Sequence, residues 1–312
     1  MKPLQISTIT SHRENTIRAL RFFSKKVNGS HLLPKLSRLI NKYFYRLGLG
    51  SAINRYDNSF TIYSAKSDKS LYKDYSKNDI FINFGSGAFF HNRWKNYDYP
   101  GQSTYYKSLL GLEGKDFKAI DLCQANLTIP EKNDSVRLIY CSHTLEHIDL
   151  DSSKRFLSEC YRILKKDGVL RVALPNTKND FYLLRCIMSQ SNKDFAPIHD
   201  YIDSVVRHII TDTKLLEISE INEILKIANY DSKDFYDEVI KRHRSFSEFK
   251  GTDPGRHINY WDFNNLINVT SKLGYSFCIP CYQGTSIASP FKNLNVFDNT
   301  ESHIAIYADI IK

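Results

Sequence analysis

Between residues 79 and 175, short apolar runs alternate with stretches of helical period, and that alternation restricts the fold more than any other feature. The runs Ile80–Phe84, Ala119–Leu122, Val136–Cys141 and Val169–Leu174 are short and bounded by polar residues, as strands covered on both faces must be. Before the last of them, Phe156, Leu157, Cys160, Ile163 and Leu164 recur at the spacing of a buried helical stripe. Asp151 and Ser152 are expected to cap that helix, and Gly168 to stop it. Strand and helix in succession predict a doubly wound, mostly parallel α/β sheet. The pattern breaks over 176–256, which reads as helices rich in Tyr, Asp and Lys, and then resumes. Asp262 is expected to cap a helix with Phe263, Leu266, Ile267, Thr270 and Leu273 inward and Gly274 at its end. Strands near Tyr275–Tyr282 and His303–Ile311 complete the sheet.

Four parts follow: a basic amphipathic arm and linker at 1–78, the first half of the α/β domain at 79–175, a helical insertion at 176–256 that caps the site, and a completing segment at 257–312. The net charge of +9 belongs to the arm. Residues 1–50 hold ten Lys or Arg and one acid, Glu14, whereas the rest of the chain carries 33 of each sign. A nucleic-acid binder needs its basic residues on the working domain, so that class is excluded. The arm forms two amphipathic helices, with Ile17, Leu20, Phe23 and Val27 on one and Leu32, Leu36, Leu39, Ile40, Tyr43 and Leu47 on the other. Three readings stand for it: packing on the core or on a second copy of the chain, docking on an anionic membrane surface, or an organelle transit peptide. No run reaches the roughly 18 apolar residues that span a bilayer, and no signal-peptide core opens the sequence. Six scattered cysteines fit a reduced compartment. Together these predict a cytoplasmic protein, with the inner membrane face as its place if the arm docks there.

Three features fall at successive strand ends. The first strand enters Asn83-Phe84-Gly85-Ser86-Gly87, where two glycines admit either a ligand close to the backbone or an ordinary tight turn. Asp98 ends Trp94-Lys95-Asn96-Tyr97-Asp98, placed to accept from both hydroxyls of a ribose. Asp121-Leu122 ends the third strand, where an acid can accept from an adenine amino group. Either acid could instead cap a loop. The third glycine of a dinucleotide fingerprint is missing, which disfavours a nucleotide-dependent dehydrogenase. After the fourth strand, His143, Glu146 and His147 stand at i, i+3 and i+4, on one face of a turn. His147 can equally pack beneath that turn.

The stretch Ile82 to Asn176 resembles the class I S-adenosylmethionine-dependent methyltransferases, in the branch found in bacterial surface-polysaccharide biosynthesis. The resemblance rests on the Gly-Ser-Gly loop, the Trp-x-Asn-x-Asp strand, and Asp121-Leu122 followed by Leu127, Pro130, Ser135 and Val136. It rests also on Ser142-His143-x-Leu145-Glu146-His147 and on Glu159-x-x-Arg162-x-Leu164-Lys165, with Asp167 where the pattern has glycine. It implies a Rossmann-like, seven-stranded methyltransferase fold with 79–175 as the cofactor-binding half. By the resemblance Gly85 and Gly87, with Asn83 and Ser86, would flank the methionine part of S-adenosyl-L-methionine. Asp98 would hold its ribose, Asp121 and Leu122 its adenine, and Tyr140 to Ser142 would line its sulfonium.

His143, Glu146, His147 and His257 are the candidate catalytic residues, as a base that removes the acceptor's proton. Some methyltransferases hold a divalent metal, magnesium or manganese, with Glu-x-x-Glu-His plus a distal His. The same four residues would be the ligands here, with His143 replacing the first Glu, and the metal-free base is preferred. The acceptor implied by the resemblance is a sugar hydroxyl of a carbohydrate or lipid-linked glycan such as O-antigen. Tyr182, Tyr201, Tyr230 and Tyr236 in the insertion suit stacking on sugars, or an ordinary polar lid. A small-molecule or quinone-type hydroxyl, and a noncatalytic methyltransferase-like partner subunit, are the alternatives. Cys278-Ile279-Pro280-Cys281 lies inside a late strand and reads as structural, and His199 and His208 read as surface residues of the insertion or as contacts to substrate.

Overall fold

In the computed structural model the described residues are 43, 51–53, 60–62, 71–87, 91, 93–100, 117–190, 196–210, 216–251, 254–293, 296–298, 300 and 303–312. The basic arm expected at 1–50 lies outside them, apart from the exposed, helical Tyr43. The chain divides into two compact units, one made from residues within 1–77 and 283–299, the other from 78–282 and 300–312. The first contains an antiparallel pair, β1 (Ser51–Ile53) and β2 (Phe60–Ile62). In it Phe291 packs edge-on against Phe297 at 5.3 Å, and Ser289 Oγ donates to the Leu71 carbonyl.

The second unit is built on the expected sheet. Its strands are β3 (Ile80–Phe84), β4 (Trp94–Asp98), β5 (Lys118–Ala119), β6 (Val136–Ser142), β7 (Leu164–Pro175), β8 (Phe277–Cys281) and β9 (Ala305–Ile311). They lie in the order β5-β4-β3-β6-β7-β9-β8, seven strands with only β9 antiparallel to its neighbours. Such a sheet is covered by helices on its faces, so its central strands are apolar throughout. Ile82, Phe84, Ile139, Leu170 and Ile310 are fully buried. The order reverses at β3 and β6, which places the carboxyl ends of β3, β4 and β6 around one crevice.

Helix α1 (Leu150–Ile163) follows β6 and packs Phe156, Leu157, Cys160 and Ile163 on the sheet. Its cap is Asp149 rather than Asp151 or Ser152, with the carboxylate accepting from Ser152 N at 2.8 Å. It also ends earlier than expected, because Leu164 is already extended. Asp167, not Gly168, takes the left-handed backbone at φ +59°; Gly168 is needed for space, since a Cβ there would meet the Lys165 carbonyl at 2.7 Å. The insertion contributes α2 (Thr177–Met188), α3 (Ala196–Ile209), α4 (Ile218–Ile227) and α5 (Ser232–Arg242). These enclose a core of their own around Phe181, Leu184, Val206, Ile224, Phe235 and Val239. Helix α6 (Phe263–Lys272) is capped by Asp262, as expected, but Ile267 points outward and is 40% exposed. No described helix is long and apolar enough to cross a membrane.

Candidate active site

A cavity of about 260 Å³ opens at the carboxyl ends of β3, β4 and β6. Gly85, Gly87, Asp98, Asp121 and Leu122 line it, so three successive strand ends converge on one space. The loop after β3 turns through left-handed backbone at Gly85 (φ +62°) and Gly87 (φ +51°), which glycine adopts without strain. Gly85 is required for a second reason: a Cβ on it would lie 2.0 Å from Thr144 Oγ1. Asp98 fastens the loop to β4. Its Oδ2 accepts from Gly87 N at 2.6 Å and its Oδ1 from Tyr99 N at 2.7 Å. A carboxylate has about four acceptor positions, so Asp98 keeps capacity for a ligand in the cavity it lines. Asp121 lies just beyond the two-residue β5, with Oδ1 accepting from Cys123 N at 2.9 Å.

Asn83, Ser86 and Tyr140 are buried and Ser142 half-buried, and none of the four lines the cavity; they support the strands and loop around it. Other lining residues carry no local sequence signal. Tyr99, Ile120 and Cys123 flank the two acids, and Phe249, Pro254 and Gly255 come from the segment after α5. Phe249 meets Tyr99 edge-on at 5.5 Å, which closes one side.

The second half of the site grows from the end of β6. His143 is held at φ +48° and its N–H donates to the Ala173 carbonyl on β7, which turns the side chain into the cavity. One 3-10 turn, Leu145–His147, then buries Glu146 to 1% exposure. The Glu146 carbonyl accepts from Ile258 N at 2.7 Å, and Leu145 O from Trp261 Nε1 at 3.2 Å. These bonds draw residues 256–261 onto the turn and set His257 against His147, ring to ring at 5.0 Å.

Glu146 Oε1 pairs with His143 Nδ1 at 3.0 Å, while Glu146 Oε2 and His143 Nε2 are buried with no hydrogen-bond partner. Burial alone would raise the Glu146 carboxyl, but His147, His143 and His257 outweigh it and hold it at about 2. His147 Nδ1 lies 2.9 Å from the Arg256 carbonyl, and His257 Nδ1 lies 3.0 Å from the His208 carbonyl. A carbonyl only accepts, so both rings carry a proton on Nδ1, and Nε2 is the remaining ring nitrogen of each. Burial lowers His257 to about 4, against the pull of Glu146, which keeps the ring neutral.

Of the four residues expected to act together, Glu146, His147 and His257 bring ligand atoms within 4.8 Å of one another, the spacing of a metal site, whereas His143 stands outside that set. His208 is not a plain surface residue: Asp180 Oδ2 accepts from its Nδ1 at 2.6 Å, and that bond raises its pKa. Tyr236 is removed from the sugar-stacking set, since it is buried with its hydroxyl donating to the Ile258 carbonyl. Cys278 and Cys281 sit within β8, and all six cysteines are free thiols.

Residues 100–172 match the family described as methyltransferase domain, so the segment that carries Asp121, His143, Glu146 and His147 is methyltransferase-like in sequence. No curated protein matches the chain. Among solved structures, a SAM dependent methyltransferase from Archaeoglobus fulgidus is 13% identical over 93% of this chain and 98% of its own, with a TM-score of 0.37. One from Aquifex aeolicus is 10% identical over 78% and 88%, with a TM-score of 0.35. PKMT2 from Rickettsia typhi, in complex with AdoHcy, is 10% identical over 75% and 49%, also at 0.35.

Proposed function

We propose that the chain is an S-adenosylmethionine-dependent O-methyltransferase whose acceptor is a sugar hydroxyl of a surface polysaccharide. One observation carries the cofactor part of the reading: the strand-end acids Asp98 and Asp121, the glycine loop and His143 all line the same cavity. The residues fit the cofactor, because Gly85 and Gly87 line the cavity without side chains and Asp98 retains acceptor capacity beside them. Gly85 and Gly87 would hold its methionine end, Asp98 its ribose, and Asp121 with Leu122 its adenine. When bound, it supplies a methyl group on a positively charged sulfur.

The protein's part is to align the hydroxyl and remove its proton. His143 is suited to act as the base. Glu146 orients it through Nδ1, its ring lines the cavity, and its buried Nε2 has no hydrogen-bond partner. The buried Glu146 carboxylate stabilises the imidazolium that results, as in a carboxylate–histidine pair. A second reading is favoured by the ligand atoms of Glu146, His147 and His257, which lie within 4.8 Å of one another, with Glu146 Oε2 unpartnered. A divalent cation fits those three groups, which would hold it, and as a Lewis acid it would polarise the acceptor hydroxyl.

Transfer of labelled methyl groups to a panel of polysaccharide precursors tests the proposal. With His143 as base, His143→Ala lowers turnover by about 10²–10⁴-fold and chelators do nothing. With the cation, chelation stops turnover, manganese restores it, and His257→Ala is nearly inactive. Near wild-type turnover in His143→Ala, Glu146→Gln and His257→Ala alike would remove the cluster from the reaction.

A further inference from the structure

The helical insertion carries a second cavity, about 410 Å³, that shares no lining residue with the first. It lies between the outer half of α2 and the end of α4. Tyr182 and Tyr230 present broad rings there, 61% and 45% exposed, next to Arg185, Ser189 and Asn222. Tyr230 is held in a conformation that its bulk disfavours. It takes φ +58° directly after Asn229 at φ +47°, where a helix end ordinarily has glycine. The ring is also buttressed. The Arg185 guanidinium lies 5.2 Å from its centre and Nη1 donates to the Tyr230 carbonyl at 3.2 Å. Strain that the surroundings enforce, at an exposed aromatic in a cavity, marks a functional position more readily than a packing one.

The donor set defines the ligand. Two tyrosine faces suit the C–H side of a pyranose ring, while a guanidinium, a hydroxyl and a carboxamide suit its hydroxyl groups. We propose that this cavity is a saccharide-binding subsite that grips a unit of the acceptor glycan other than the one that is methylated. The inference rests on the glycan reading above, and it assigns Tyr182, Tyr230 and Arg185 to binding rather than to catalysis.

Saturation-transfer NMR on the full chain, with the methyl glycosides of rhamnose, mannose, galactose and N-acetylglucosamine as probes, tests it directly. At least one sugar should receive saturation from the wild type, and Tyr182→Ala and Tyr230→Gly should each weaken that binding about tenfold, a single well-placed contact. Glycine suits the Tyr230 backbone, so Tyr230→Gly should keep or raise the melting temperature while the sugar signal falls. No signal for any sugar in the wild type overturns the subsite, and so does equal binding in both variants. A lowered melting temperature with unchanged sugar binding in Tyr230→Gly overturns it as well, by making the residue structural. The two proposals separate cleanly. Methyl transfer to glycans with unaltered binding in both variants sinks the subsite alone, and sugar binding that depends on Tyr182 and Tyr230 without methyl transfer sinks the glycan acceptor alone.

Discussion

Asp98 works in two directions, since the carboxylate that lines the cavity also holds the glycine loop through Gly87 N. Asp98→Ala should therefore weaken S-adenosylmethionine binding by about 1–3 kcal/mol, the scale of lost hydrogen bonds to a charged group. Gly85→Ala should do more harm than its size suggests, because the new methyl would lie 2.0 Å from Thr144 Oγ1 on left-handed backbone. Cofactor titrations of the two variants check both statements, and wild-type affinity in Gly85→Ala would refute the close approach. At this scale the sequence was legible where a cavity-lining residue falls at or just beyond a strand end: the glycines, Asp98, Asp121 and His143 could be placed by counting along strands. Thr144, Tyr99 and Phe249 could not, because their role arises from contacts between segments far apart in the chain. The Glu146–His147–His257 grouping was half legible, since the local spacing is visible but the bonds that bring His257 to the turn are not.

Two elements show how strand register and helix capping turn into stability. Antiparallel pairing of β7 with β9 sets Arg171 opposite Asp309, and their side chains form a fully buried ion pair at 3.0 Å. Arg171 also donates to the Tyr282 carbonyl and lies over the Tyr307 ring. Removing one partner strands a buried charge, so Asp309→Ala should cost about 3–5 kcal/mol in urea unfolding. A loss below about 1 kcal/mol would mean that water reaches the pair. At the start of α6, burial raises the Asp262 carboxyl, but Lys178, the Asn265 N–H and the Tyr260 hydroxyl outweigh it and leave it below the usual carboxylate range. Its contribution is then full above the unfolded value of about 3.9 and disappears as pH falls through the lower folded value. Asp262→Ala should cost about 1 kcal/mol at neutral pH, and the gap from wild type should close in acid. Element types were legible from periodicity, as were the bounds of β3 and the cap of α6, but the ends of α1 were not. Asp149 caps α1 because its backbone is extended where the helix begins, and a run containing Asp149, Asp151 and Ser152 offers three plausible caps. Asp167 tolerates the left-handed turn itself, which no reading based on glycine anticipates.

Across the whole molecule, the seven-stranded sheet gathers Gly85, Gly87, Asp98, Asp121, His143 and His147 around one crevice, while helices α2 to α5 build a core of their own. The excess charge of residues 1–50 stands apart from the neutral remainder, and docking on an anionic membrane predicts that deleting them abolishes liposome co-sedimentation while cofactor binding survives. Loss of folding on deletion would favour packing instead. The central claim is that the crevice at β3, β4 and β6 binds S-adenosylmethionine, and isothermal titration of the cofactor into the purified chain tests it most directly. The account predicts saturable binding at one site per chain that Asp98→Ala weakens; no heat of binding in the wild type, or an isotherm unchanged by that substitution, would contradict it.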